Sequence, residues 1–190
     1  LCRIDGIEWI RLMYCYEDRI TDELIDVMAS EPKICKYIDI PIQHASDAVL
    51  KAMRRRSSEA SIENTIERLR AKIPDIHIRT TFIVGFPGET DEDYEKLYDF
   101  VDRMRFARLG VFTYSREENT PAGEMENQID EDVKEERMDG IMRRQLDISL
   151  ELNQEKIGQT LEVLVEEQDE DGSWLGRSRY DAPEIDNSVI

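Results

Sequence analysis

Four short segments rich in β-branched and aromatic residues alternate with helix-like segments over the first 115 residues. The predicted strands are 9–16, 37–43, 76–85 and 108–114. Between them lie segments with apolar residues at helical spacing, opened by capping side chains at Thr21, at Ser46, at Ser58 or Ser61, and at Thr90. Strands that alternate with helices in this way form βαβ units around a parallel sheet. The chain is therefore predicted to have an α/β fold.

The third predicted strand ends in a corner that contains two glycines and a proline and leads directly into an acidic helix. Gly85 and Gly88 can take positive φ and let a ligand approach the backbone without a Cβ in the way. Thr90, followed by acids at 91–93, is an N-cap with negative charge in the first helical turn. Two interpretations remain open, a tight strand-to-helix turn and a ledge that holds a cofactor.

Alternation along the strands predicts which polar side chains face away from the helices. The isoleucines of 38–42 share one face of their strand, and Asp39 and Gln43 share the other. In a barrel-like sheet the aliphatic face meets the helices, so Asp39, Gln43 and Arg79 should line the interior or its mouth. A buried charge without a partner costs several kcal/mol. These residues therefore either satisfy one another or hold a polar ligand.

The last third of the chain follows a different pattern. A long helix is predicted over 130–157, with a stripe of apolar residues: Val133, Met138, Ile141, Met142, Leu146, Leu150 and Ile157. Alternating segments at 161–166 and 173–178 then flank a turn at Asp171 and Gly172, which predicts a β-hairpin that begins a small β-barrel module. The predicted division places residues 1–156 in the α/β part and 157–190 in the β-module.

The negative charge of the chain is concentrated in its second part. Of the net charge of −18, residues 116–190 carry 22 Asp and Glu against 8 Lys and Arg. Such a surface repels phosphate backbones and favours a basic protein partner, although an acidic surface also simply aids solubility. The three cysteines have no metal or disulfide spacing, and no apolar run or signal segment is present, so a cytoplasmic location is expected.

Several kinds of catalytic site are excluded by the absence of their motifs. No Gly-Lys-Ser/Thr follows Gly85, no Gly-x-Gly-x-x-Gly follows a first strand, and two histidines, His44 and His77, do not make a zinc cluster. No nucleophile lies beside a base. A single histidine such as His44 at a strand end is most often structural. No catalytic and no metal-binding residue is therefore predicted in this chain.

Four ordered segments resemble the methylthiotransferases of the radical S-adenosylmethionine superfamily. They are residues 9–16, 37–44, 79–90 and 114–122, and the likeness extends over essentially the whole chain. Within that family, the run 176–186 is similar to the branch that modifies an aspartate of a small-subunit ribosomal protein. The sister branch modifies an adenosine of tRNA. The acidic composition of 157–190, with nine acids and two arginines, favours the ribosomal-protein branch.

The resemblance implies a fold and a cofactor site. It implies strands three to six of a partial (β/α) barrel, followed by the start of a TRAM β-module. S-adenosylmethionine would be held by Gln43 and Arg79, which lie at or inside barrel strands, and by the corner, whose residues are Gly85, Phe86, Pro87, Gly88 and Glu89. A guanidinium can grip the methionine carboxylate bidentately. A parallel barrel binds ligands at the carboxyl ends of its strands.

The resemblance also implies two 4Fe-4S clusters in the intact enzyme, whose cysteine motif is absent from this sequence. Cys15 and Cys35 are separate and cannot supply three converging thiolates. The chain is therefore expected to be an internal part of a longer enzyme, inactive alone, that adds a methylthio group to the β-carbon of an aspartate in a basic ribosomal protein. Two alternatives remain, a tRNA adenosine methylthiotransferase and a non-catalytic acidic module that binds a basic partner.

Overall fold

A four-stranded parallel sheet forms the centre of the molecule, which a computed structural model describes over residues 1–190. The strands lie in the order β1-β2-β3-β4. They are β1 (Ile10–Leu12), β2 (Ile34–Gln43), β3 (His77–Val84) and β4 (Arg108–Thr113). The helices are α1 (Asp22–Ser30), α2 (Asp47–Ala52), α3 (Glu59–Lys72), α4 (Asp91–Met104) and α5 (Glu131–Gln154). The predicted α/β class with a parallel sheet is confirmed.

Capping side chains set three helix starts where the sequence predicted them, whereas Ser46 precedes α2 but its side chain makes no capping hydrogen bond and donates to Asp93 instead. Thr21 Oγ1 accepts a hydrogen bond from the backbone N–H of Leu24 at 3.2 Å. Ser58, rather than Ser61, is the N-cap of α3, and the two residues form a reciprocal capping box. Thr90 and Asp93 form a second capping box at the start of α4. Each cap satisfies amide groups that the first helical turn leaves without partners.

The first strand is much shorter than the predicted 9–16. Tyr14 takes a φ of 56°, which ends the extended conformation. Its backbone N–H donates to Asp39 Oδ2 at 3.0 Å, and the N–H of Cys15 donates to the Asp39 carbonyl at 2.8 Å. A short 3-10 turn follows at Glu17–Arg19. Two hydrogen bonds to Asp39 of β2 therefore replace the strand pairing that was expected beyond Leu12. Sequence periodicity cannot predict such bonds.

The hydrophobic core lies between one face of the sheet and the helices. Ile38, Ile40 and Ile42 of β2 and Phe82 of β3 are at most 1% exposed, as alternation predicted. Phe82 packs edge-on against Phe100 of α4 and Phe106, with ring centroids 6.4 and 5.9 Å apart. Fully burying side chains of this size contributes about 1.5–3 kcal/mol each.

The predicted apolar stripe of α5 is wrong in its second half. Leu146, Leu150 and Ile157 are exposed, and α5 ends at Gln154. Its buried face instead runs through Lys134, Arg137, Ile141, Gln145 and Ile148. Long cationic side chains can bury their methylene stems when the charged heads find partners. Three of these positions, Lys134, Arg137 and Gln145, are therefore polar by sequence and buried by structure.

The C-terminal segment forms a hairpin and then packs against the sheet face that the helices leave free. Strands β5 (Val163–Gln168) and β6 (Trp174–Ser178) pair antiparallel, with Gly172 at a φ of +89° in the turn. Asp181 Oδ1 lies 2.6 Å from Arg108 Nη2, and Tyr180 stacks on His77 with ring centroids 4.0 Å apart. None of the helices has both the length and the apolar composition needed to cross a lipid bilayer.

Candidate cofactor site

The free face of the sheet has two halves that differ in burial. We call the amino-end half, which the C-terminal segment covers, the closed half; it comprises Tyr37, Asp39, His77, Arg79 and Arg108. We call the carboxyl-end half the open half; it comprises Pro41, Gln43, Thr81, Ile83 and Phe112. Asp39 is fully buried, whereas Phe112 is 62% exposed. The open half lies where parallel barrels bind ligands. At the edge of the closed half, His77 and Arg108 line a cavity of about 530 Å³, and Arg79 lines one of about 230 Å³.

The closed half is a network of charged groups that satisfy one another. Arg79 Nη1 lies 3.1 Å from Asp39 Oδ1, and Arg79 Nε lies 3.6 Å from Asp186 Oδ1. Tyr37 Oη donates to Asp186 Oδ2 at 2.7 Å, and burial together with this bond raises the pKa of the phenol. Arg79 also precedes Val84 by five residues, about 17 Å along the strand. The structure therefore separates Arg79 from the glycine corner, and its predicted contact with a cofactor stays a prediction.

The glycine corner lies at the carboxyl end of β3, and its two glycines are required by the packing of the chain itself. Gly85 and Gly88 have φ values of +72° and +86°. A Cβ at Gly85 would collide with the side chain of Lys134, and one at Gly88 would collide with Asn127. Gly85, Phe86 and Pro87 are buried. The space that a ligand was expected to use at these Cβ positions is therefore filled by α5 and the loop before it.

A buried polar cluster fixes this corner from behind. Glu89 is 3% exposed; its Oε2 accepts the N–H of Gly85 at 2.8 Å, and its Oε1 lies 2.8 Å from Arg137 Nη1. The other carboxylate contact is His44 Nε2, at 3.4 Å from Oε2. His44 Nδ1 accepts the N–H of Ser46 at 2.9 Å, which leaves the proton on Nε2. The cluster ties the ends of β2 and β3 to α5.

Sequence reasoning missed Lys134 and Arg137. Lys134 Nζ donates to the carbonyl of Tyr114 at 3.0 Å, and the side chain is almost fully buried. Both cations lie on a helix more than forty residues beyond the corner, on a face where the sequence suggested solvent. The sequence offered one indication that polar residues of α5 are buried, namely that Gly140 interrupts the predicted apolar stripe.

The carboxyl edge brings Gln43, the corner and Tyr114 together. Gln43 has a φ of +77°, a conformation that costs a non-glycine residue about 1–3 kcal/mol and is enriched at functional sites. The Tyr114 N–H donates to the Val84 carbonyl at 2.8 Å, and its ring lies 5.2 Å from that of Phe86. The Tyr114 hydroxyl is buried without a hydrogen-bond partner. An unsatisfied buried hydroxyl at this edge is an observation that a polar ligand would account for.

No three Cys, His, Asp or Glu side chains converge on a point where they could hold a metal ion. Cys15 follows β1, and Cys35 lies on β2. Burial and the neighbouring Asp39 raise the pKa of the Cys15 thiol, which disfavours the thiolate that binds iron. These residues do not fit an iron–sulfur cluster.

The model of the radical SAM superfamily matches residues 1–101, and that of the TRAM domain matches residues 157–190. Because the first match covers more than half of the chain, the chain belongs to the radical SAM superfamily. Membership implies S-adenosylmethionine and 4Fe-4S chemistry in the intact protein.

Relatives from three bacteria are named ribosomal protein uS12 methylthiotransferase RimO. The protein of Heliobacterium modesticaldum is 53% identical to this chain over 189 residues. The protein of Desulfitobacterium hafniense is 52% identical, and that of Clostridioides difficile is 53% identical, over the same length. Each match covers 100% of this chain but 41%, 42% and 43% of the relative. The chain therefore spans less than half the length of these relatives.

Among solved structures, the fold is similar to that of coproporphyrinogen III oxidase (HemN) from Escherichia coli, a radical SAM enzyme. The TM-score is 0.56 at 16% sequence identity, over 75% of this chain and 32% of the oxidase. At this identity the likeness concerns the fold alone. It agrees with the parallel α/β architecture described above.

Proposed function

We propose that the intact protein is a radical SAM methylthiotransferase that modifies ribosomal protein uS12. The observation that carries the proposal is the identity of 50–54% over the whole chain with proteins that bear this name. The same names favour the ribosomal-protein branch over the tRNA branch. A non-catalytic acidic module is disfavoured because the radical SAM match includes the first three strands of the sheet and the TRAM match the C-terminal segment.

The open half is the proposed site for S-adenosylmethionine. Gln43 would contact the nucleoside through its amide, and the backbone of Gly85, Phe86, Pro87, Gly88 and Glu89 would border it. Ile83 and Phe112 offer apolar surface for an adenine ring, and the Tyr114 hydroxyl lacks a partner that a ligand could supply. These features fit a nucleoside that is partly apolar and partly polar. Arg79 remains the proposed contact to the methionine carboxylate only if it leaves Asp39 or Asp186.

When bound, the cofactor supplies the radical and methyl chemistry, and this chain supplies placement. The cluster of His44, Glu89 and Arg137 holds the corner rigid, so its backbone groups need no reorganisation when a ligand arrives. The closed half seals the amino end of the sheet, so that water and substrate reach the site from the carboxyl end. Each of these roles is one of positioning.

Finer features of the proposal rest on the resemblance. They are two 4Fe-4S clusters whose ligands lie elsewhere in the intact protein, modification at the β-carbon of an aspartate, and a cytoplasmic location. The division into residues 1–156 and 157–190 is supported by the match of the TRAM model to 157–190. The acidic composition of residues 116–190 supports a basic protein substrate.

Two measurements test the proposal. The intact protein, reconstituted with iron and sulfide, should add one methylthio group to uS12, seen by mass spectrometry and mapped to an aspartate. Modification of tRNA instead of uS12 would reassign the branch. Equilibrium dialysis should show S-adenosylmethionine binding by the chain, weakened about tenfold in Gln43→Gly, a loss of about 1.4 kcal/mol. Because glycine accepts a φ of +77°, this variant should stay folded, and unchanged affinity would remove Gln43 from the site.

A further inference from the structure

A cleft beside the open half is lined by arginines in a chain that is otherwise strongly acidic. It has a volume of about 590 Å³ and lies between the 3-10 turn after β1 and the connection from α2 to α3. We call it the arginine cleft; its charged and aromatic lining residues are Tyr16, Glu17, Asp18, Arg19, Arg54, Arg55 and Arg56. Residues 48–58 contain four cations and no acid. A local positive field therefore exists within a net charge of −18.

Most of these arginines have no carboxylate that neutralises them. Arg54 and Arg56 are exposed and take part in no ion pair. Arg19 is 77% exposed and has only Asp18, 3.8 Å away. Several arginines elsewhere pair closely with carboxylates, as Arg137 does with Glu89 at 2.8 Å. Unpaired guanidinium groups around one cleft are the arrangement that binds phosphate or carboxylate groups.

Arg55 fixes the cleft to the sheet. Its Nη2 donates to the carbonyl of Pro41 at 2.6 Å, two residues before β2 ends. The same guanidinium lies over the ring of Tyr16, 5.2 Å from its centroid. The ring remains 60% exposed. The cleft therefore presents an aromatic surface next to cations, directly beside the mouth of the proposed cofactor site.

Polar atoms in the wall of the cleft lack partners. The Glu17 side chain is 4% exposed and its Oε2 accepts no hydrogen bond, while Arg55 Nη2 is 3.9 Å away. The Arg55 Nε is also buried and unpaired. A bare anion offers no donor to a carboxylate oxygen, whereas a ribose 2′-hydroxyl or an exocyclic amine does. The cleft therefore suits a ligand that carries both phosphate groups for the arginines and hydrogen-bond donors for Glu17.

We propose that the arginine cleft binds single-stranded RNA, with Arg19, Arg54 and Arg56 on its phosphates and Tyr16 against a base. A cationic groove combined with an exposed aromatic ring is the usual design for this ligand. This inference rests on the proposed function. A ribosomal protein substrate that is bound to RNA would bring a single strand of RNA to the mouth of the proposed cofactor site. The acidic remainder would hold the basic protein, and the cleft would hold the RNA beside it.

Fluorescence anisotropy of a labelled single-stranded RNA, titrated with the chain over a series of salt concentrations, tests the proposal. Arg54→Gln/Arg56→Gln should weaken binding about tenfold or more and reduce the slope of log affinity against log salt by about 1.4. The matched control, Arg3→Gln/Arg143→Gln, removes the same charge at exposed positions outside the cleft and should change affinity less than about twofold. Thermal melting of both variants should be unchanged.

Three outcomes would overturn the inference: no RNA binding by the unmodified chain at low salt, equal losses in the two double variants, or stronger binding of poly-glutamate than of RNA. DNA of the same sequence should bind more weakly, because it lacks the 2′-hydroxyl that Glu17 would accept from. S-adenosylmethionine dialysis on the same samples separates the two proposals. Retained cofactor binding without RNA binding defeats only the cleft, and retained RNA binding without uS12 modification defeats only the enzymatic assignment.

Discussion

The closed half and the open half belong to the same sheet face and differ in what covers them. In the closed half, Asp39, Arg79 and Asp186 pair within a network whose carboxylates are at most 1% exposed, and Asp186 comes from the C-terminal segment. In the open half, Ile83 is half-buried and Phe112 is exposed. The comparison shows that polar residues on one inner face serve two purposes. Those at the amino end pair with the C-terminal segment, and those at the carboxyl end do not, which is the basis for the ligand site proposed above.

The largest effect is expected from Arg79→Met, which leaves Asp39 and Asp186 buried without a cation. Removing one member of a buried ion pair costs about 3–5 kcal/mol, so the free energy of unfolding in urea should fall by that amount. Arg143→Met, at an exposed position, should change it by less than about 0.5 kcal/mol. If Arg79→Met keeps its stability but loses S-adenosylmethionine, Arg79 belongs to the ligand site and the division into halves is misplaced.

A second substitution tests whether the corner is preset by packing. Gly85→Ala adds a Cβ against Lys134 at a φ of +72°, and the strain and overpacking together should cost about 2–4 kcal/mol. Gly158→Ala is the matched control, because Gly158 has a φ of +88° with open space around it and isolates the backbone cost of about 1 kcal/mol. Equal losses of unfolding free energy in the two variants would show that the Lys134 side chain moves aside and that packing does not fix the conformation of the corner.

The closed half should also respond to pH through His77. Burial, with Lys156 and Arg108 nearby, lowers the pKa of His77 to about 4. The unfolded chain, with the ordinary value near 6.5, binds the proton more tightly, so stability is complete above that pH and is lost as pH falls toward about 4. Between about pH 7 and pH 5 the free energy of unfolding should fall by about 2 kcal/mol from this group.

Urea unfolding of His77→Gln at both pH values measures this contribution. Between pH 7 and pH 5, the free energy of unfolding of the variant should fall by about 2 kcal/mol less than that of the unmodified chain. Parallel losses in the two proteins would mean that His77 titrates normally and that Tyr180 does not shield it as the stacked geometry indicates.

The smallest effect on stability is expected in the open half. Phe112→Ser alters an exposed side chain and should change the free energy of unfolding by less than about 0.5 kcal/mol. It should nevertheless weaken S-adenosylmethionine binding measured by dialysis, because the ring supplies apolar surface to the ligand. Phe106→Ser, in the core, should do the opposite and destabilise the fold strongly. Unaltered binding in Phe112→Ser would place the adenine elsewhere.

The sequence alone determined the class of fold, because strand and helix periodicities and the caps at Thr21, Ser58 and Thr90 act over a few residues. It also located the glycine corner and the face that carries Asp39, Gln43 and Arg79. Tertiary structure decided how these positions are used: Lys134 and Arg137 arrive from a distant helix to fill the glycine spaces and neutralise Glu89, and Asp186 arrives from the C-terminal segment to engage Arg79. Such pairings join residues far apart in the chain, so no local pattern encodes them, whereas the low dielectric of the buried sites makes them decisive.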